Sequence, residues 1–197
     1  MLFTLLAGSA SQAQVLTLYP ASQTVGLGGT VSVEVRISGL AAGQAPSLGG
    51  FNFDLHYDNS KLSFRSIDFG DPRLGDQLDF GQGSSYSADT TTAGIVRQLG
   101  ISFALADVLD PQQAADFTLS TVTFSGVAQG TALLSFADVF LSDADALDLP
   151  VTLPPDTNPP TTLSITVVPE PRDYVMVSGL LCGAGALILR RSRHSMR

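Results

Sequence analysis

Three features of the chain predict an all-β fold, an antiparallel β-sandwich of eight or nine short strands. Apolar residues recur with a period of two through most of residues 14–168, which sends alternate side chains to a core and to water. Turn chemistry rich in Gly, Asn, Asp and Pro separates these segments. No part of this body sustains the 3.6-residue spacing of an amphipathic helix.

In chain order, Val15–Tyr19 reads as the first strand, and Gly26-Leu-Gly-Gly29 as the turn that follows. Val31, Val33, Val35 and Ile37 then alternate with Ser32, Glu34, Arg36 and Ser38. Phe51, Phe53, Leu55 and Tyr57 alternate with Asn52, Asp54, His56 and Asp58, and Asp58-Asn-Ser60 turns the chain into a strand at Leu62–Phe69. Gly81-Gln-Gly-Ser-Ser85 reads as a loop. Leu99, Ile101, Phe103 and Leu105 alternate with Gly100, Ser102 and Ala104, so the large residues are expected on the core face. Asp110 to Ala115 suits one helical turn, with Asp110 as N-cap and Pro111 at N1. Phe117–Phe124 and Ala132–Leu141 are further strands. The Pro-rich stretch 150–160 reads as a loop inside the domain, because Leu163, Ile165 and Val167 still form a strand after it. There is no internal repeat.

Composition bounds the function. With both ends of the 197 residues set aside, about 155 remain, enough for one domain with a core. Residues 14–169 hold one Glu and fifteen Asp against Arg36, Lys61, Arg65, Arg73 and Arg97, a net charge of −11. Such a body repels phosphate backbones, so a nucleic-acid partner is not expected. It contains no cysteine, hence no disulfide and no thiolate metal site.

Little in the body suggests catalysis. Its one histidine, His56, lies on the polar side of an alternating strand. No Gly-x-Ser-x-Gly elbow or phosphate-binding loop is present. The acidic cluster Asp138, Asp143, Asp145 and Asp148 is the candidate metal set, for Ca²⁺. Asp143-x-Asp145 resembles the start of a calcium loop, but position six is Asp148 rather than Gly and position twelve is Pro154 rather than Glu. A second acidic group, Asp68, Asp71, Asp76 and Asp79, has less pattern still. Glycan binding uses exposed aromatic rings. The chain has no Trp, Tyr57 is in phase with a core face, and Tyr86 in its Ser-rich loop is the candidate glycan contact.

The ends read as addresses. Residues 1–13 are an apolar start followed by small residues, with Ser11 and Ala13 placed for signal peptidase. No basic residue precedes the apolar part, which points to a true start upstream of Met1. Residues 169–197 carry Pro169-Glu170-Pro171, an uncharged apolar run over 174–189, and Arg190, Arg191, Arg193 and Arg197 in the tail 190–197. The run is expected to form a single C-terminal transmembrane helix; at roughly 24 Å, from about 1.5 Å per residue, it is short and suits a transient anchor better than a permanent one. The arginines stay cytoplasmic, which leaves the body outside. Gly179 and Gly183 are spaced as a helix-packing pair, and Cys182, the sole cysteine, lies in the same run. This tail resembles the PEP-CTERM sorting signal of Gram-negative bacteria. The resemblance implies processing by an exosortase-type enzyme after a transient stay in the inner membrane. The endpoint would be the cell surface, the outer membrane or an extracellular exopolysaccharide matrix.

The body has its own resemblance. Leu48-Gly-Gly-Phe-Asn-Phe-Asp-Leu-His-Tyr-Asp58, followed by Lys61-Leu-Ser-Phe-Arg-Ser-Ile67, is similar to the second and third strands of cohesin modules. Thr30 to Ile37 and Leu134-Ser-Phe-Ala-Asp-Val-Phe-Leu-Ser-Asp143 fit the same pattern. The similarity spans residues 14–168 and implies a nine-stranded jelly-roll sandwich related to carbohydrate-binding modules. The expected function is therefore a non-catalytic binding or structural module, with a dockerin-like protein as partner. The alternative is a carbohydrate-binding module for a polysaccharide. A glycoside hydrolase and a calcium-stabilised adhesin are further alternatives.

Overall fold

The alternating segments become strands in the computed structural model, which describes residues 13–153 and 162–169. They are β1 Gln14–Tyr19, β2 Ser22–Gly26, β3 Thr30–Ser38, β4 Leu48–Tyr57, β5 Leu62–Phe69, β6 Ser84–Asp89, β7 Ile95–Ser102, β8 Phe117–Gly126, β9 Gly130–Asp143, β10 Val151–Thr152 and β11 Thr162–Val168. One short helix, α1 Ala106–Leu109, lies between β7 and β8. The sequence reading missed β2, β6 and β10. β6 is Ser-Ser-Tyr-Ser-Ala-Asp and β10 has two residues, so neither carries a hydrophobic period to detect.

The strands form two sheets, one of five in the order β10-β1-β3-β8-β5 and one of six in the order β2-β11-β9-β4-β7-β6. Most neighbours are antiparallel, but β1–β10 and β2–β11 pair in parallel at the margins. The core lies between the sheets. Leu16, Leu18, Val33, Val35 and Ile37 face Phe51, Phe53, Leu55, Leu134 and Ile165, all buried. Aromatic rings join the layers: Tyr57 stands 5.0 Å from Phe124, and Phe51 is 6.5 Å from Phe69.

Two departures from the expected pattern matter. First, β7 is turned over. Val96, Gln98 and Gly100 face the core, while Leu99 and Ile101 face solvent. The register explains this. Gly100 lies opposite Phe51, and a Cβ at Gly100 would run into the rings of Phe51 and Tyr86. Gln98 is buried because its Oε1 accepts a 2.6 Å hydrogen bond from the Ser120 hydroxyl of the opposite sheet. Second, the helical turn precedes its expected position. Asp110 ends α1 instead of capping a helix at 110–115. Its Oδ1 accepts from the backbone N–H and the hydroxyl of Ser47, so a tertiary bond replaces the local one.

The β5–β6 connection is pinned by Asp71. Its Oδ1 accepts the N–H groups of Arg73 and Leu74 (2.8 and 2.9 Å), and its Oδ2 accepts that of Thr118 (2.8 Å). Burial opposes the charged form, but these backbone donors outweigh it, and the carboxyl titrates below the ordinary 3.8. A depressed native value means that the stabilisation is complete above the unfolded value and is lost as pH falls through the native one. Thermal melts should therefore show Asp71→Asn destabilised at neutral pH, with the gap to wild type closing below pH 3.8. A gap independent of pH would show that the charge does not matter there.

Candidate functional site

The outer face of the six-stranded sheet is built by register. Asn52 of β4 lies between Leu99 of β7 and Phe140 of β9. One row along, Gly50 lies between Ile101 and Ser142. One row the other way, Asp54 lies between Arg97 and Ala137. Directly opposed residues share a face, so Leu99, Ile101 and Phe140 form one apolar surface across three strands. Phe103 and Leu105 continue it past the end of β7, and Leu147 stands in the loop after β9 at the same end of the sandwich. Exposure along this set runs from 37% at Leu99 to 69% at Leu105. These are large side chains left in water beside 28 buried hydrophobics among the described residues, and a contiguous exposed apolar area is a candidate interaction surface.

The surface is flat and held in place. Gly50 offers no side chain at its centre, and a Cβ there would stand 3.1 Å from the Ser142 hydroxyl and 3.3 Å from the Gly100 carbonyl. Gly49 comes closer still to the backbone of Asp143, which allows the bulge between β4 and β9. Asp54, only 3% exposed although it points outward, receives Nε and Nη2 of Arg97 at 2.9 Å each. The Asp54 carboxylate raises the Arg97 guanidinium above its ordinary value, with smaller help from Asp89 and Asp138. This fork fixes one rim of the apolar area and leaves it charged.

The residues singled out from sequence are placed as follows. Tyr86 is half-buried. Its ring stacks on Phe69 at 4.7 Å and 13°, and its hydroxyl donates to Asp76. Burial, then that carboxylate, push the phenol up. It points into the core because β6 pairs with β7 and sets Tyr86 opposite Gly100. Among the described residues the exposed tyrosine is Tyr19, with the Arg36 guanidinium 4.0 Å over its ring. The proposed calcium set is not assembled: among the described residues no group of three or more His, Cys, Asp or Glu is arranged to hold a metal ion. Asp143 accepts the N–H groups of Asp145 and Leu147, so it shapes its own turn. Asp138 occupies a bulge with φ 50°. His56 is half-exposed on the outer face. Glu170, Pro171, the apolar run 174–189 and Arg190, Arg191, Arg193 and Arg197 lie outside the described residues, as do residues 1–12; Pro169 is described and follows β11. Among the described residues no helix is long and apolar enough to cross a membrane.

Sequence reasoning missed the apolar face because alternation does not say which side is inside. One signal was available. Arg97 is in phase with Leu99 and Ile101, and an arginine on a strand face argues that the face is outside.

A search of protein-family models finds no match to this chain, and a search of curated proteins finds none either. Solved structures do match. The sixth cohesin of Acetivibrio cellulolyticus scaffoldin B, solved with a Cel5 dockerin, superposes with a TM-score of 0.60 at 15% identity, covering 80% of this chain and 100% of that one. The fold is that of a cohesin module. CaCohA2 from Clostridium acetobutylicum gives a TM-score of 0.57 at 21% identity, over 80% of this chain and 92% of that one. A non-cellulosomal cohesin from the archaeon Archaeoglobus fulgidus gives 0.53 at 15%, over 85% and 98%. The cohesin fold is thus shared across nearly the whole length of those modules at identities that carry architecture only.

Proposed function

We propose that this chain is a non-catalytic, exported docking module whose apolar sheet face binds a dockerin-like protein. The observation that carries this reading is the exposed surface formed by Leu99, Ile101, Phe103, Leu105 and Phe140 on a rigid sheet. An apolar centre with a charged rim at Arg97 and Asp54 is the usual anatomy of a protein-recognition patch. Several of the cohesin-fold neighbours were solved as complexes with dockerins, which makes that class of partner the first to test. The non-catalytic reading rests on the sequence, with a single histidine in the body and no nucleophile motif.

The placement of the ends supports display. Val168 leaves β11 beside Gly26 and Leu27, next to the start of β9 at Gly130. Phe140 and the Leu147 loop lie towards the far end of the same fourteen-residue strand, with Phe140 about 33 Å away at roughly 3.3 Å per residue. A domain tethered through residues 169–197 would therefore hold its apolar end away from the membrane. That suits a sorting tail processed by an exosortase-type enzyme and an endpoint at the cell surface or in an exopolysaccharide matrix.

Calorimetric titration against purified dockerin modules tests the reading. The panel should include the Cel5 dockerin and any dockerins encoded beside this chain. At least one is expected to bind with micromolar affinity or better, typical of a specific interface, and to protect β7 and β9 amides from exchange. Failure of the whole panel, or protection confined to the five-stranded sheet, would refute it.

A further inference from the structure

The opposite side of the sandwich holds a cleft of about 640 Å³, within the range of small-molecule sites. Its floor is Thr17 of β1, Arg36 and Ser38 of β3, and Thr118 of β8; Arg73 and Leu74 overhang it from the turn that Asp71 pins. The hydrogen-bonding inventory is lopsided. The hydroxyls of Thr17 and Ser38 and the guanidinium of Arg73 have no partner among the described residues. The carboxylates on the wall are already engaged. Asp71 accepts three backbone N–H groups, and Asp116 accepts that of Gly39 at 3.2 Å. Arg36 is held by Glu34 at 2.7 Å and lies on the exposed Tyr19 ring, one row further along the same face. The cleft therefore offers an unpaired planar cation, free hydroxyls and one apolar wall, with Asp71 engaged through both carboxylate oxygens and Asp116 through Oδ1.

We propose that this cleft binds a carboxylated sugar unit of an acidic polysaccharide. The Arg73 fork matches a carboxylate in two parallel hydrogen bonds. Thr17 and Ser38 can each donate and accept, as the neighbouring hydroxyls of a sugar ring require, and Leu74 covers an apolar ring face. An extended peptide would instead need an unpaired strand edge, but Arg36, at the centre of the floor, lies on β3, which is hydrogen-bonded to β1 on one side and β8 on the other. The net charge of −11 opposes long-range approach of a polyanion, so recognition depends on the local contact. The site is independent of the docking face.

Titration calorimetry of the full chain at 0.15 M salt, with trigalacturonate and trimannuronate as probes, tests the proposal. At least one should bind, and its carboxyl-reduced analogue should bind at least tenfold more weakly. Arg73→Ala should weaken binding at least tenfold, and Arg73→Lys less, because it keeps the charge and loses the fork. Leu99→Asp, on the other face, should leave it unchanged. Arg73 is exposed in a turn, so these variants should fold, and an unchanged melting temperature checks that. Absence of binding to both probes, equal affinity for the neutral analogues, or an Arg73→Ala variant equal to wild type would each overturn the proposal. So would binding of a peptide C-terminal carboxylate in place of the sugars. None of these outcomes bears on dockerin recognition, which Leu99→Asp reads separately.

Discussion

Replacing Leu99 and Ile101 together with aspartate is expected to weaken dockerin-like partner binding by about thirtyfold or more while the domain stays folded. The two side chains lie side by side on β7 at the centre of the exposed face, opposite Asn52 and Gly50. A partner that covers them must strip water from whatever stands there. Truncation of a central interface residue costs about 2 kcal/mol or more, and 2 kcal/mol corresponds to about thirtyfold in affinity. Carboxylates add a desolvation cost to that loss. In the free domain the same positions face solvent, so the stability cost is limited to strand propensity, about 1 kcal/mol. The effect would appear as faster dissociation by surface plasmon resonance, with unchanged urea unfolding. Unaltered binding by this variant would remove the face from the interface.

The second large effect is in the core. Phe51→Ala should destabilise the domain by about 3–5 kcal/mol, read as a lower urea midpoint at constant m-value. Phe51 is 2% exposed and fills the space that Gly100 leaves open. It stacks on Phe53 at 5.5 Å and contacts Phe69 of the opposite sheet and Tyr86 of β6. Its removal takes the keystone from the Phe51–Phe69–Tyr86 cluster, and the rigid bulge at Gly49 prevents β4 from closing the gap. Against a domain stability of about 5–15 kcal/mol, such a loss is a third or more of the total for most domains. A loss under about 1.5 kcal/mol would mean that the cluster repacks, as conservative core swaps do.

These two residues also show why the strands were legible from sequence and the function was not. Phe51, Phe53, Leu55 and Tyr57 announce both their strand and their buried side, because Asn52, Asp54 and His56 between them are polar. Leu99 and Ile101 announce a strand only. Their alternates, Gly100 and Ser102, carry no charge, and Arg97, in phase with the large residues, is the one sign of which face lies outside. The choice is made by packing: Gly100 is the one position small enough for Phe51, and Gln98 reaches Ser120 across the core. Tyr86 illustrates the same point in reverse. In a Ser-rich stretch it looks exposed, yet pairing of β6 with β7 turns it inward onto Phe69.

Local periodicity and turn residues, by themselves, determined that this chain forms an all-β sandwich, where most strands lie, and that its body is acidic and free of cysteine. They do so because period, propensity and charge are properties of neighbouring residues. Only the tertiary structure decided which side of β7 meets water, that the acidic quartet Asp138, Asp143, Asp145 and Asp148 does not assemble, and that Arg73 overhangs Thr17 and Ser38. The first and third depend on partners far apart in the chain, such as Phe51 with Gly100 and Thr17 with Arg73, brought together by the fold, and the second on the local turn in which Asp143 accepts the N–H groups of Asp145 and Leu147.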